Sequence, residues 1–178
     1  MERLRAVEKE SDIPEPCANT PVGDLLRFHN LGMPLREFQR AELLIGMCMD
    51  NRKNLRIPDN FAFILRTGGG NVRYSEFKVS YAVAVGGIRH IALIGHTECG
   101  MVNLIARERL FVDGLSAVGW DRQAAEDHFH HFAPMFEIGN EVDFLLSETK
   151  RLRARYPRVT VAPLMYKVSD NRLYALRE

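Results

Sequence analysis

The sequence predicts an α/β fold: a mainly parallel central β-sheet flanked by helices, with an N-terminal helical arm. Three observations carry this. Four short runs are almost wholly apolar: "AELLIGMCM", "NFAFILRT", "HIALIGH" and "RVTVAPLMYKV". Strands covered by helices on both faces read this way, because they keep no solvent side. The runs alternate with stretches carrying helix caps and helical spacing, as in parallel α/β sheets. Finally, 178 residues with 46% hydrophobic and 26% charged content suit one domain that buries a core without disulfide staples.

Residues 1–40 read as an arm ahead of an α/β domain at 41–178. In the arm, "TPVGDLLRFHNLG" is a helix with Thr20 as N-cap, Pro21 at the first helical position and Gly32 closing it. Its apolar residues Val22, Leu25, Leu26 and Phe28 form a partial face. Cys17, in the proline-rich "PEPCANTP", reads as part of an exposed linker. In the domain, "AELLIGMCM" and "NFAFILRT" are strands, and "YSEFKVSYAVAVGG" is a helix ending in glycines. "HIALIGH" is the third strand, and "GMVNLIARERL" is the helix after it. "SAVGWDRQAAEDHFHHFAPMF" is helical in part. "NEVDFLLSETKRLRARYP" is a long helix stopped by Pro157. "RVTVAPLMYKV" is the fourth strand, with "RLYALR" pairing back through the turn "SDN".

The formal net charge of +1 does not advertise a nucleic-acid or membrane surface. No apolar run approaches the roughly 18 residues of a membrane span. The opening "MERLRAVEKESDIPEP" mixes both signs of charge and reads as neither a secretory nor a transit signal, so a cytoplasmic protein is expected. Three cysteines, an odd count, argue against a disulfide framework.

The chemistry sits at strand ends. The first core strand ends in "CMDNR", with Cys48, Asp50 and Arg52 spaced by two. In extended chain such residues share a face. The third strand ends in "GHTECG", where a tight turn lets His96 and Cys99 face one point. In parallel sheets, sites form at the carboxyl ends of strands. Two thiolates and one imidazole make a soft, zinc-preferring donor set. Structural zinc sites close with four protein ligands, whereas catalytic ones keep a position open. Here the fourth position falls to water or to Asp50.

This arrangement resembles the β-class carbonic anhydrases. Their Cys-x-Asp-x-Arg and His-x-x-Cys motifs read here as "CMDNR" and "HTECG", and their Arg-Asn-Ala-Gly-like stretch as "RTGGG". The resemblance covers about Ala41 to Arg107 well and the C-terminal helix and strand loosely. It implies a carbonate dehydratase, a zinc lyase that reversibly hydrates carbon dioxide to bicarbonate and a proton. One zinc ion per chain would be held by Cys48, His96 and Cys99. Asp50 would orient a zinc-bound hydroxide and Arg52 would keep Asp50 ionised, making this pair catalytic. In some members the aspartate instead ligates zinc and closes the site. The resemblance also implies a homodimer or higher homo-oligomer, with the N-terminal helix laid across the partner, and a small apolar pocket for carbon dioxide near the metal. The backbone of "TGGG" and of Gly100 is expected to approach that pocket closely. Two alternatives stand beside the main reading: a hydrolase of carbonyl sulfide or carbon disulfide on the same scaffold, and a catalytically silent zinc-binding module.

Thr67, Gly68 and Glu98 depart from the family pattern, standing where asparagine, alanine and aspartate are common. The loop "KNLRIPDN" has no assigned role. The tract "HFHHF", with His128, His130 and His131, invites a second metal site or a proton relay, but reads better as partly exposed helix. His29 and the tract are all candidates for the relay.

Overall fold

The computed structural model describes residues 3–178. Met1 and Glu2, the start of the expected arm, lie outside the described residues. Six strands form one sheet: β1 (Leu4–Ala6), β2 (Leu43–Cys48), β3 (Ala62–Thr67), β4 (His90–His96), β5 (Thr160–Lys167) and β6 (Arg172–Leu176). Their order is β1-β6-β5-β4-β2-β3. The inner pairs β3–β2, β2–β4 and β4–β5 are parallel, whereas β5–β6 and β6–β1 are antiparallel. The helices are α1 (Glu15–Ala18), α2 (Pro21–His29), α3 (Glu76–Ala84), α4 (Glu108–Ala117), α5 (Arg122–Phe136) and α6 (Glu141–Arg155).

The period of two in the strands explains the two layers. Leu43, Ile45 and Met47 face α2 and pack with Leu25, Leu26 and Phe28. Leu44 faces the other way and packs with Val79 of α3 and Leu145 and Leu152 of α6. With both faces covered, β2 is buried at all six positions, which is why its sequence is apolar throughout.

The N-terminal segment is woven into this core rather than extended from it. Val22, Leu25 and Leu26 of α2 are fully buried, and β1 completes the sheet edge against β6. Full burial of a leucine contributes about 1.5–3 kcal/mol, so α2 is part of what holds the sheet. Thr20 caps α2 as expected, its hydroxyl accepting from the Val22 N–H. Cys17 differs from the exposed linker residue expected: it sits on α1, buried against the same core, and burial pushes its thiol up.

The segment after β4 also differs from the helix expected there. The chain does not enter a helix at Gly100. It turns, runs through a 3₁₀ stretch at Leu104–Arg107, and becomes α-helical only at Glu108. Asn103 takes a left-handed conformation (φ 52°), which no helix can pass through. The segment 116–136 contains the full helix α5, capped by Asp121. Asn140 caps α6 by accepting from the Val142 and Asp143 N–H groups.

Candidate metal centre

Cys48 ends β2 and His96 ends β4, next to each other in the sheet. Cys99 returns to them through a turn in which Glu98 has φ 60°. The candidate ligand atoms of Cys48, His96 and Cys99 all lie within 4.8 Å of one another. The three residues are only 3%, 1% and 5% exposed. They form the one such group of metal-ligating side chains found among the described residues.

The imidazole shows what the group is built to hold. His96 Nδ1 lies 2.9 Å from the Thr97 carbonyl oxygen. A carbonyl only accepts, so Nδ1 carries the proton and Nε2 presents a bare lone pair. That Nε2 is buried and has no hydrogen-bond partner. An orphaned acceptor between two thiols is costly unless something electrophilic sits there. A fixed tautomer with the free nitrogen turned to the site is the usual arrangement of a metal-binding histidine. The two thiols act on each other: Cys99 first of all pulls the Cys48 thiol down, and Cys48 first of all holds the Cys99 thiol up. The donor set and its burial therefore fit zinc.

Asp50 and Arg52 are brought together, though not by extended chain. The strand stops at Cys48, and the chain turns so that the Asp50 carboxylate accepts the Arg52 backbone N–H at 2.9 Å. The Arg52 side chain closes on the same carboxylate, with Nε 3.1 Å from Oδ1 and Nη2 2.7 Å from Oδ2. This guanidinium holds Asp50 well below the usual carboxylate range. Asp50 Oδ2 lies 3.9 Å from His96 Nε2, so the carboxylate borders the place a metal would take.

Three residues beyond the predicted set shape the site. Arg66 spans the loop after β2: its guanidinium donates to the carbonyls of Cys48 and Asp50, each at 3.4 Å, and of Lys53 at 3.2 Å. Lys53 is fully buried, and its ammonium has no hydrogen-bond partner. Burial pulls its pKa down, opposed by the charges of Cys48, Asp50 and Cys99. A lysine in a basic loop carries no sequence signal of burial, so only the structure finds it. Glu141, the first residue of α6, accepts the Cys99 N–H at 3.2 Å and ties the His96–Cys99 turn to that helix.

The glycine run supports the site at one position above all. Gly70 has φ +74°, and a Cβ there would stand 3.4 Å from the Ile94 carbonyl oxygen and 3.7 Å from the Cys48 nitrogen. It lets the backbone lie against both metal-bearing strands. Gly100 does not share this role, since nothing lies within 4 Å of where its Cβ would be.

Other histidines sort by their partners. His29 accepts from the Arg56 N–H at Nδ1 (3.1 Å) and meets the Asn171 carbonyl at Nε2 (2.9 Å), so both nitrogens are structural. His130 pairs with Glu108 at 2.7 Å. His128 lies among Phe111, Trp120 and Phe132. It lines a groove of about 440 Å³ whose other walls include Met49, Gly68, Met101 and Phe136. Met49 and Met101 neighbour the site in sequence, which places an apolar groove beside it.

An α/β sheet with a Cys₂His donor group at adjacent strand ends defines the class of molecule, and solved structures give it a more particular form. The chain has the fold of the β-carbonic anhydrases. β-Carbonic anhydrase isoform I from Trichomonas vaginalis matches with TM-score 0.63 at 14% identity, over 83% of this chain and 90% of that one. A carbonic anhydrase from Streptococcus mutans matches with TM-score 0.59 at 18% identity, over 83% and 89%. A carbon disulfide hydrolase matches with TM-score 0.57 at 19% identity, over 86% and 84%. No family model matches the sequence, and neither does any curated protein.

Proposed function

We propose that this chain is a zinc enzyme that reversibly hydrates carbon dioxide to bicarbonate and a proton. The observation that carries the reading is His96: its tautomer is fixed by Thr97, and its free Nε2 is buried without a partner between two thiols. Cys48, His96 and Cys99 hold the metal, which when bound supplies a Lewis acid that makes water a nucleophile near neutral pH. Three protein ligands leave a fourth position open. Asp50, ionised by Arg52, only accepts hydrogen bonds. Its carboxylate thus orients the nucleophile through the proton the nucleophile retains. Arg66 keeps that carboxylate in place by pinning the loop that carries it. The apolar groove beside Met49 and Met101 suits delivery of an uncharged substrate.

The chain works in the reducing cytoplasm, where its thiols stay available to metal. No described helix is long and apolar enough to cross a membrane. It assembles as a homodimer or larger homo-oligomer through the β3 edge, where Phe63 and Ile64 on the strand and Phe77 on α3 are exposed.

The test is stopped-flow carbon dioxide hydration with zinc-loaded protein at about pH 7 and about pH 8.5, bracketing the range in which bound water ionises. A rate above the uncatalysed one, lost on chelation and restored by zinc, supports the proposal. A second reading, hydrolysis of carbonyl sulfide or carbon disulfide, is favoured by the nearly all-apolar groove. Sulfide release without hydration would promote it. A zinc-loaded protein inert in both assays would indicate a silent zinc-binding module.

A further inference from the structure

Four non-glycine residues among those described have positive φ: Asn60, Glu98, Asn103 and Asn171. Asparagine tolerates this region, because its short side chain bonds locally. Glutamate has no such excuse, and a long side chain held there costs free energy. Glu98 also lies inside the His96–Cys99 turn, where it departs from the pattern the turn resembles.

Its conformation has a geometric result. Glu98 gives Arg52 two acceptors: its carboxylate takes Nη1 at 3.1 Å and its carbonyl takes Nη2 at 3.0 Å. Arg52 is thus gripped from two loops, by Asp50 after β2 and by Glu98 after β4. Asp50 has two destinations in reach. One is the guanidinium, where it sits. The other is the metal position it borders, 3.9 Å from His96 Nε2. An arginine fixed in space keeps the carboxylate on the first, whereas an arginine free to swing away releases it to the second.

We propose that Glu98 is a positioning residue: by anchoring Arg52 from the opposite loop, it holds Asp50 off the metal and keeps the fourth position open. The inference rests on the metal reading above. The Glu98 side chain is 68% exposed, so the contact is modest, and its effect is on a balance between two states.

Glu98→Asn is the informative variant. Asparagine accepts the left-handed backbone, and its shorter side chain gives up the reach to Arg52. The cobalt(II)-substituted protein reports the ligand set through its visible spectrum, and azide titration reports access to the open position. Asp50→Asn, which removes the competing carboxylate, supplies the open reference. Glu98→Asn is expected to shift the cobalt spectrum away from that reference and to weaken azide binding about threefold, the scale of one partly exposed ion pair. Thermal stability should be retained or raised. Glu98→Gln, which keeps the length and an acceptor oxygen, should restore most of the azide affinity. In the Asp50→Asn background, Glu98→Asn should change neither readout. A Glu98→Asn protein with the parent's spectrum and azide affinity overturns the proposal while leaving the metal reading intact. Failure to bind cobalt with thiolate charge-transfer bands removes the metal reading, and this inference with it.

Discussion

Two imidazoles, one half-buried and one fully buried, show how differently one residue type is used. Around His29, at the end of α2, each ring nitrogen has a partner: the Arg56 N–H at Nδ1 and the Asn171 carbonyl at Nε2. Around His96, at the end of β4, only Nδ1 has one, and the buried Nε2 faces two thiols. A fixed tautomer is common to both. What separates a structural histidine from a ligand is where the second nitrogen goes. The first region spends its imidazole on packing and has nothing left to bind. The second leaves one strong acceptor unsatisfied, a cost a metal removes.

The most severe break in this contrast is to remove a ligand. Cys48→Ala should drop zinc from one ion per chain to below about a tenth after dialysis, because a two-ligand site does not retain the metal. His29→Ala should leave zinc content unchanged but lower stability by about 1–3 kcal/mol in urea unfolding, the cost of orphaning its partners. Zinc loss on His29→Ala would erase the distinction.

Next comes Asp50→Ala. It should keep zinc and lose turnover by about a hundredfold, the lower end for a group that handles a reacting proton. Full activity in this variant would remove Asp50 from the mechanism. Lys53→Met keeps the buried stem and deletes an ammonium with no hydrogen-bond acceptor. Unfolding free energy should rise by about 1 kcal/mol, since an unpaired buried charge is replaced by apolar volume. A fall of that size would show that the charges of Cys48, Asp50 and Cys99 compensate the lysine in place.

The smallest effect is in pH. Burial first of all keeps His29 below its ordinary value of 6.5. The native state then stays neutral while the unfolded chain takes up a proton. This contribution is complete above about pH 6.5 and is lost as pH falls toward the depressed native value. His29→Gln should flatten the stability-against-pH slope just below pH 6.5 relative to the parent. An unchanged slope would mean His29 titrates alike in both states.

Much of this was readable in sequence for a definite reason. Strands β2, β4 and β5 announce themselves because they are covered on both faces, whereas β3 is apolar yet half open at the sheet edge; Cys48 and His96 are the last residues of β2 and β4. The cap at Thr20 is local chemistry and reads locally. What escaped depends on distant partners or special backbone. Strand β1 is three residues of mixed polarity that exist as a strand only against β6. Asn103 delays the helix after Cys99 through a single dihedral. Cys17 and Lys53 sit among prolines and charges that suggest exposure, yet both are buried. The Asp50–Arg52 pair was anticipated from alternation along a strand, but a turn assembles it.

The most direct test of the central claim is zinc X-ray absorption on protein reconstituted with one equivalent of metal. Cys48, His96 and Cys99 predict two sulfur donors at about 2.3 Å and one imidazole nitrogen at about 2.0–2.1 Å, with a light oxygen donor completing the shell. Loss of one sulfur in Cys99→Ala, and no change in His29→Ala, would assign the donors. A shell of nitrogen and oxygen alone, or zinc that dialyses away, would contradict the account.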